Sequence, residues 1–73
     1  MEYPQYRRLS NGKSMYEIID DRHFNEKQRV GSKIFTYSFV AEQYPEILKI
    51  KDMIECYEDL YEIVYEKDWL IFG

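Results

Sequence analysis

The residues of this sequence that could do chemistry are few, and the first is a histidine near two carboxylates. His23 follows Asp20 and Asp21, and a histidine with an acidic companion can act as a general base. Cys56 could act as a nucleophile if a histidine lay beside it in space. More commonly, a histidine such as His23 lies on the surface beside aspartates that cap a helix, and a lone cysteine such as Cys56 is a small buried apolar residue. The sequence therefore predicts no catalytic residue and no enzyme.

Residues 12–14 read Gly-Lys-Ser, which matches the end of a phosphate-binding P-loop. That motif also needs a glycine five residues before Gly12, where Arg7 stands, and a helix after it. The chain has one cysteine and one histidine, which are too few for a usual four-ligand zinc site. The carboxylates of 55–68 lack the glycine of a calcium loop. We therefore predict no metal and no cofactor.

Five basic residues could contact an anion: Arg7, Arg8, Arg22, Arg29 and Lys33. Tyrosines lie among them, and basic residues interleaved with stacking aromatics are typical of single-strand nucleic-acid binders. The isoelectric point of about 4.9 argues against this reading, because nucleic-acid modules are usually strongly basic. Nucleic-acid or phosphate binding by the N-terminal hairpin face is therefore the alternative function and not the first.

The net charge of −4 is unevenly distributed along the chain. Residues 1–41 contain seven Lys or Arg and five Asp or Glu, a net charge of +2, whereas residues 42–73 contain three and nine, a net charge of −6. Two interpretations stay open. In the first, the halves form two solvated faces of one domain; in the second, they attract partners of opposite charge, including other copies of the chain.

The clearest element that positions these residues is a β-hairpin over residues 5–19. Its Asn11-Gly12 pair suits a type I′ turn, because both residues tolerate a positive φ. Both arms carry residues that favour a pleated surface, among them Tyr6 and Tyr16.

A short helix is predicted after the hairpin. Asp20 or Asp21 can cap its start, and it would run to about Gln28. Phe24 is its one apolar anchor, so it should make one or two turns before Gly31 breaks the chain.

Residues 33–41 alternate in the manner of a strand. Aromatic side chains, including Phe35 and Phe39, share one face, while hydroxyl side chains share the other. We expect Phe35 and Phe39 to belong to the core and to pack on the helix that follows, at Ile47, Ile50 and Ile54.

The chain changes character at Pro45. No Gly, Pro, Ser, Thr or Asn occurs between there and Phe72, and apolar residues recur at helical spacing. Proline suits the first position of a helix, so a helix is predicted over 45–57. Two alternatives stay open for 58–72: a continuation of this helix, or a strand followed by a short helix.

The tripeptide Tyr-Glu-Ile occurs twice, at residues 16–18 and 61–63. A chain of this composition shares about one tripeptide by chance, so the identity alone does not establish a repeat. We interpret it as a coincidence, so the same tripeptide can form a strand at one site and a helix at the other.

Together these elements predict an α+β fold in a single domain over 1–73. A small antiparallel sheet, made of the hairpin 5–19 and the strand 33–41, is packed by a C-terminal helix that starts near Pro45. A single core of this size rarely supplies more than ~3–5 kcal/mol, and one cysteine cannot form an internal disulfide. Association with another chain is therefore the expected source of further stability.

The outer face of the hairpin and the C-terminal segment carry more apolar residues than one short helix can cover. Apolar patches of this kind usually mark an interface, and closed two-fold pairing is the commonest arrangement. A homodimer, or a small protein partner on the same patch, is therefore expected. The predicted interface residues are Met15, Ile19, Leu60, Trp69, Ile71 and Phe72.

The expected function is that of a small non-enzymatic interaction or regulatory domain that self-associates. The N-terminus shows no signal-peptide pattern, and no segment approaches the ~20 apolar residues of a membrane span. With a lone thiol, this predicts a cytoplasmic protein without membrane contact.

Overall fold

The structure, a computed structural model, describes residues 2–72, within which five strands and two α-helices form. In chain order the elements are β1 (Gln5–Leu9), β2 (Ser14–Ile18), β3 (His23–Val30), β4 (Lys33–Val40), α1 (Tyr44–Glu55), a 3₁₀ turn (Tyr57–Asp59), β5 (Tyr61–Val64) and α2 (Glu66–Ile71). The predicted α+β class with an antiparallel sheet is confirmed, and the sheet has two strands more than the three that were predicted.

All five strands belong to one antiparallel sheet in the order β4-β3-β2-β1-β5. The first four strands pair with their chain neighbours, and β5 returns after α1 to the free side of β1. Arg7 of β1 therefore lies opposite Tyr16 of β2 on one side and Ile63 of β5 on the other. The two edges of the sheet are β4 and β5.

The hairpin predicted over 5–19 is confirmed, but its turn is not of type I′. Gly12 has a φ of +76°, whereas Asn11 does not enter the positive-φ region. The Gly12 N–H donates to the Leu9 carbonyl at 2.8 Å, and the Asn11 side chain accepts the Lys13 N–H at 2.8 Å. The asparagine thus shapes the turn with its side chain and not with a left-handed backbone.

The helix predicted from Asp20 to about Gln28 is wrong, because residues 23–30 form strand β3. The Asp20 carboxylate accepts the Arg22 N–H at 2.8 Å, so it shapes the β2–β3 turn and does not cap a helix. Every residue from Phe24 to Gln28 has a partner in β2 on one side and in β4 on the other. Two ladders of backbone hydrogen bonds override the weak local preference of this segment.

The helix predicted from Pro45 is confirmed as α1. It ends earlier than expected because Cys56 adopts a left-handed conformation, with a φ of 51°. Of the two alternatives for 58–72, the strand followed by a short helix is observed. Asp68 interrupts the helical spacing of the sequence, and its side chain accepts the Tyr65 N–H at 2.8 Å at the start of α2.

Both Tyr-Glu-Ile tripeptides lie in strands, the second in agreement with the strand alternative for 58–72. Strands β2 and β5 flank β1 on its two sides, and Tyr16 and Tyr61 share a face of the sheet. Their rings meet edge to face, with centroids 5.7 Å apart. The second tripeptide is helical in its sequence context and becomes a strand because β1 offers it a free edge.

The two faces of the sheet have separate cores. On the α1 face, a buried cluster joins the helix to the middle of the sheet: Tyr16, Ile18, Phe24, Ala41, Ile50 and Met53. On the opposite face, α2 places Trp69 against Tyr6, Met15 and Val64. The helices thus cover the sheet from both sides, and we name its two surfaces the α1 face and the α2 face.

The strand predicted over 33–41 is confirmed as β4, but only part of it joins the core. Phe39 is half-buried against the α1-face cluster. Its ring stacks on that of Phe24, with the ring centroids 4.8 Å apart. Phe35 is 42% exposed, so its prediction as a core residue is wrong. It lies opposite Gln28 near the turn of the β3–β4 hairpin, and the cluster under α1 reaches along β4 only as far as Phe39.

Candidate functional site

His23 and Asp20 form a hydrogen-bonded pair at the β2–β3 turn. The Nδ1 atom of His23 lies 2.8 Å from the Asp20 carboxylate, and both side chains are about half exposed. This hydrogen bond is the main reason why the pKa of the Asp20 carboxyl lies below its usual value, and the Arg22 N–H adds to it. The pair therefore closes an exposed turn.

Cys56 is half-buried at the point where the chain leaves α1, and its N–H donates to the Met53 carbonyl at 3.3 Å. Residues 12–14 belong to the β1–β2 hairpin, and a strand begins at Ser14 where a P-loop would need a helix. Within residues 2–72, no group of three or more His, Cys, Asp and Glu side chains is arranged to hold a metal ion.

The five predicted anion contacts do not form one surface. Arg7 and Arg8 lie on opposite faces, as successive residues of a strand must, and Arg7 is only 5% exposed. Arg8 pairs with Glu62 at 3.1 Å, while the guanidinium of Arg29 lies 4.7 Å from the centre of the Phe72 ring. Arg8 and Arg29 line one depression on the α2 face. The other two lie apart from these and from each other: Arg22 in the β2–β3 turn and Lys33 at the start of β4.

Arg7 has a structural role that the sequence did not reveal. Its Nε donates to the Met53 carbonyl at 2.8 Å, and a terminal nitrogen donates to the Ile54 carbonyl at 3.2 Å. Two further N–H donors reach the Tyr6 carbonyl and the Gln5 side chain, each at 2.8 Å. Because the last turn of α1 contains no basic residue of its own, this guanidinium supplies the positive charge at the negative end of the helix dipole.

Met15 and Trp69 were predicted to be exposed interface residues, and their predicted exposure is wrong. They are 3% and 7% exposed because α2 folds over the outer face of the hairpin. Lys27 of β3 binds α2 to the sheet. Its Nζ donates to the Trp69 carbonyl at 2.7 Å and lies 4.4 Å from the centre of the indole ring. Phe72 is half-buried at the margin of the same cluster. The exposed members of the predicted set are Ile19, Leu60 and Ile71.

A cleft of about 340 Å³ opens beside α1. Its apolar lining consists of Tyr3, Ile47, Ile50 and Ile54. Its rim carries two cations and two carboxylates: Arg22, Lys51, Asp21 and Glu55. Because the rim has no charge preference, the cleft does not select a class of ligand.

The outer side of β4, residues 33–40, is the feature that stands out, and we call it the open edge. Within residues 2–72, strand β4 pairs with β3 on one side and with no strand on the other, and none of its eight residues is buried. It contains no proline, glycine or acidic residue, and its only charge is Lys33 at its first position. Its register with β3 is unbroken over all eight residues. Edge strands of natural proteins are usually shortened, charged or bulged, and β4 is none of these.

The backbone of the open edge offers hydrogen-bonding groups to a further strand. The Ala41 N–H donates to the Arg22 carbonyl, which shows that the odd-numbered residues of β4 bond toward β3. Because inward and outward residues alternate along an antiparallel ladder, the N–H groups of Ile34, Thr36 and Ser38 point away from the sheet.

The side chains of β4 add an aromatic surface to this edge. Phe35 and Tyr37 are 42% and 43% exposed on the α1 face. Tyr37 lies 6.4 Å from Phe39, which stacks on the buried Phe24, so the aromatic row is continuous from the core to the edge. Exposed rings that are backed by core rings form a rigid apolar surface of the kind that interfaces use.

Strand β5 forms the opposite edge over four residues, between the 3₁₀ turn and α2. Ile63 is 62% exposed at its middle. The segment around it is strongly acidic, with Glu58, Asp59, Glu62, Glu66 and Asp68. Like charges would oppose the pairing of two such edges, so β5 is guarded where β4 is not.

Comparison with protein-family models, with curated proteins and with solved structures finds no match to this chain. No helix within residues 2–72 has the length and apolar character that crossing a membrane requires. The functional conclusion therefore depends on the geometry of the chain itself.

Sequence reasoning missed the open edge although it identified the strand. The signal was present, since residues 34–40 contain no charge, no proline and no glycine. The position of β4 in the sheet depends on the strand order, and the mistaken helix over residues 20–28 concealed that order.

Proposed function

We propose that this chain is a small, non-enzymatic protein-interaction domain of the cytoplasm, and that it self-associates through the open edge. The observation that carries the proposal is an eight-residue edge strand that is free of guarding features and exposes both its backbone and its aromatic side chains. Strand addition to such an edge is a recurrent mode of protein recognition.

The chemistry of the open edge favours a polypeptide over other ligands. Backbone N–H and C=O groups in a row are matched by another strand, which presents the same groups at the same spacing. Alternate side chains would then contribute apolar contact at Phe35 and Tyr37.

The alternative, nucleic-acid or phosphate binding, receives less support from the geometry. Arg7 is buried and uses four of its five N–H donors in hydrogen bonds inside the fold, and Arg8 pairs with Glu62. The remaining cations are dispersed: Arg22 lies in the β2–β3 turn, Lys33 at the start of β4, and Arg29 beside Phe72. Salt-dependent binding of a random oligonucleotide would revive this alternative.

Proline substitution at the two edges tests the proposal. Thr36 and Ile63 are exposed β-branched residues in the middle of β4 and β5. The N–H of Thr36 points out of the sheet by the alternation described above. That of Ile63 does so too, because the Ser10 N–H bonds to the Leu60 carbonyl and the even-numbered residues of β5 therefore face β1. An edge strand tolerates proline at such a position, and the substitution removes only the outward N–H donor.

Sedimentation equilibrium from micromolar to millimolar protein gives the readout. We expect the wild type and Ile63→Pro to self-associate, while Thr36→Pro remains at the 9.0 kDa of the monomer. Circular dichroism and thermal melting verify that both variants fold. A wild type that stays at 9.0 kDa over the whole range contradicts the proposal, as does a Thr36→Pro variant that associates like the wild type.

A further inference from the structure

We infer that the partner at the open edge is a second copy of β4, antiparallel to the first, with Tyr37 opposite Tyr37 on a two-fold axis. This pairing, which rests on the proposed function, would join two five-stranded sheets into one continuous sheet. The geometry of β4 leaves few ways to do this, and the residues distinguish between them.

Backbone direction restricts the register to alternate positions. Outward-pointing residues must meet outward-pointing residues, so even-numbered residues of one copy pair with even-numbered residues of the other. The two-fold axis therefore passes through a residue and never between two residues. A shift by one position would also bring the aromatic face of one strand beside the hydroxyl face of its partner. Thr36, Tyr37 and Ser38 are the central candidates for the axis.

An axis at Tyr37 gives the chemically matched pairs. Phe35 then lies opposite Phe39, Ile34 opposite Val40 and Thr36 opposite Ser38, so aromatic meets aromatic, aliphatic meets aliphatic and hydroxyl meets hydroxyl. Cross-strand pairs of these kinds stabilise antiparallel sheets. The exposed rings of Phe35 and Tyr37 become covered by those of the second copy.

An axis at either neighbouring residue matches less well. With Thr36 on the axis, Lys33 lies opposite Phe39 and Ile34 opposite Ser38. With Ser38 on the axis, Thr36 lies opposite Val40, and Ile34 is left without a partner in the strand. The Tyr37 axis instead places Lys33 opposite Ala41, where the partner chain continues into Glu42 and offers a carboxylate to the lysine.

Pairing of β4 with β5 of the next copy is the competing geometry, and it is less favourable. Strand β5 has four residues against the eight of β4, so half of the open edge would stay unpaired. Such head-to-tail pairing also leaves a free edge at each end and continues into filaments. The two-fold pairing closes after two copies, because both open edges are used.

Disulfide trapping tests the register in a Cys56→Ser background, which removes the native thiol. Tyr37 would form a non-hydrogen-bonded pair with its symmetry mate, with Cα atoms about 4.5 Å apart, inside the roughly 4.4–6.8 Å range of disulfides. Two Ile34 residues would be six positions apart, or roughly 20 Å. We expect Tyr37→Cys to cross-link at least ~10-fold faster than Ile34→Cys, Thr36→Cys or Ser38→Cys under mild oxidation.

A distance measurement keeps the test valid if Tyr37→Cys folds poorly. A spin label on Lys33→Cys, in an exposed position, would report a backbone separation of about 26 Å for the Tyr37 axis, about 20 Å for a Thr36 axis and about 33 Å for a Ser38 axis. Fastest cross-linking at Thr36 or Ser38, or either of the other distances, overturns this register while leaving the proposed function in place. A protein that does not self-associate overturns both.

Discussion

Strand β5 forms one edge of the sheet over four residues, whereas β4 forms the other over eight. Beside β5, strands β1 and β2 are covered by α1 on one face and by α2 on the other. On the β4 side of the sheet, the aromatic residues Phe35 and Tyr37 stay exposed. One side of this small sheet is thus covered by helices on both faces, whereas the other side exposes its aromatic side chains.

The difference separates the part of the chain that supplies its stability from the part that we propose as its interaction surface. Buried side chains and a buried arginine hold the half of the sheet formed by β5, β1 and β2, which we call the covered half. The acidic C-terminal segment guards its edge. Phe35 and Tyr37 of the open edge lie outside the core, unlike Phe39, so substitutions at these two residues should affect association more than folding.

The largest expected effect on stability comes from truncating a buried side chain in the covered half. Ile18 is fully buried between the sheet and α1, and Ile18→Ala should lower the free energy of unfolding by ~2–5 kcal/mol. A domain of this length rarely has more than ~3–5 kcal/mol in total, so the variant should be largely unfolded at room temperature. Circular dichroism during urea titration measures this. A cooperative transition close to that of the wild type would break the distinction between the two halves.

Arg7 and Arg8 provide a matched pair for the next effect. Arg7→Met should cost ~1–3 kcal/mol of unfolding free energy, because the carbonyls of Met53 and Ile54 lose their buried donor. Arg8→Met removes an exposed pair with Glu62 and should change stability by less than ~0.5 kcal/mol. Equal effects in chemical denaturation would show that Arg7 does not hold the end of α1.

Alkaline pH should also act on the covered half. Burial, followed by the charge of Glu26, raises the pKa of Tyr16 well above 10.0, and burial raises that of Tyr6 to about 12. The unfolded chain releases these protons near pH 10 while the folded chain holds them. The contribution of these tyrosines to the free energy of unfolding is therefore fully present below pH 10. It is lost as the pH rises above 10, by about 1.4 kcal/mol per pH unit for a fully buried tyrosine.

Thermal melts between pH 9 and pH 11 measure this loss, with Tyr16→Phe as the matched variant. Removing the hydroxyl removes one titrating group, so the midpoint of Tyr16→Phe should fall less steeply above pH 10 than that of the wild type. Parallel curves for the two proteins would mean that Tyr16 ionises in the folded state as it does in the unfolded state.

The smallest effect on stability is expected at the open edge. Phe35→Ala removes a ring that is 42% exposed, so the unfolding free energy of the dilute protein should change by at most ~0.5 kcal/mol. Association should nevertheless weaken, because that ring would face Phe39 of the second copy. Denaturation at low concentration and sedimentation at high concentration separate the two outcomes. A large loss of stability in the dilute monomer would place Phe35 in the core after all.

The parts of the fold that the sequence predicted are those with local causes. Asn11 and Gly12 mark a hairpin turn, and Pro45 followed by apolar residues at helical spacing marks α1. Strand β3 has no such signal. Its single buried apolar residue is Phe24, and the segment is held as a strand by ladders on both sides.

The candidate site was only partly predictable for the same reason. The alternation of Phe35, Tyr37 and Phe39 identified a strand, but whether an aromatic strand is central or at an edge depends on pairings between distant segments. Strand β5 illustrates this: its four residues continue a helical pattern, and they become a strand because β1 has a free side.

Hydrogen exchange of individual backbone amides at two protein concentrations tests the central claim most directly. In dilute protein, the outward amides of Thr36 and Ser38 on β4 and of Ile63 on β5 should all exchange fast, since none of them bonds within the sheet. As the concentration rises, the amides of Thr36 and Ser38 should become protected while that of Ile63 stays unprotected. Exchange at Thr36 and Ser38 that is fast at every concentration, or protection that appears at Ile63 instead, would contradict the account of β4 as the edge that binds a second copy.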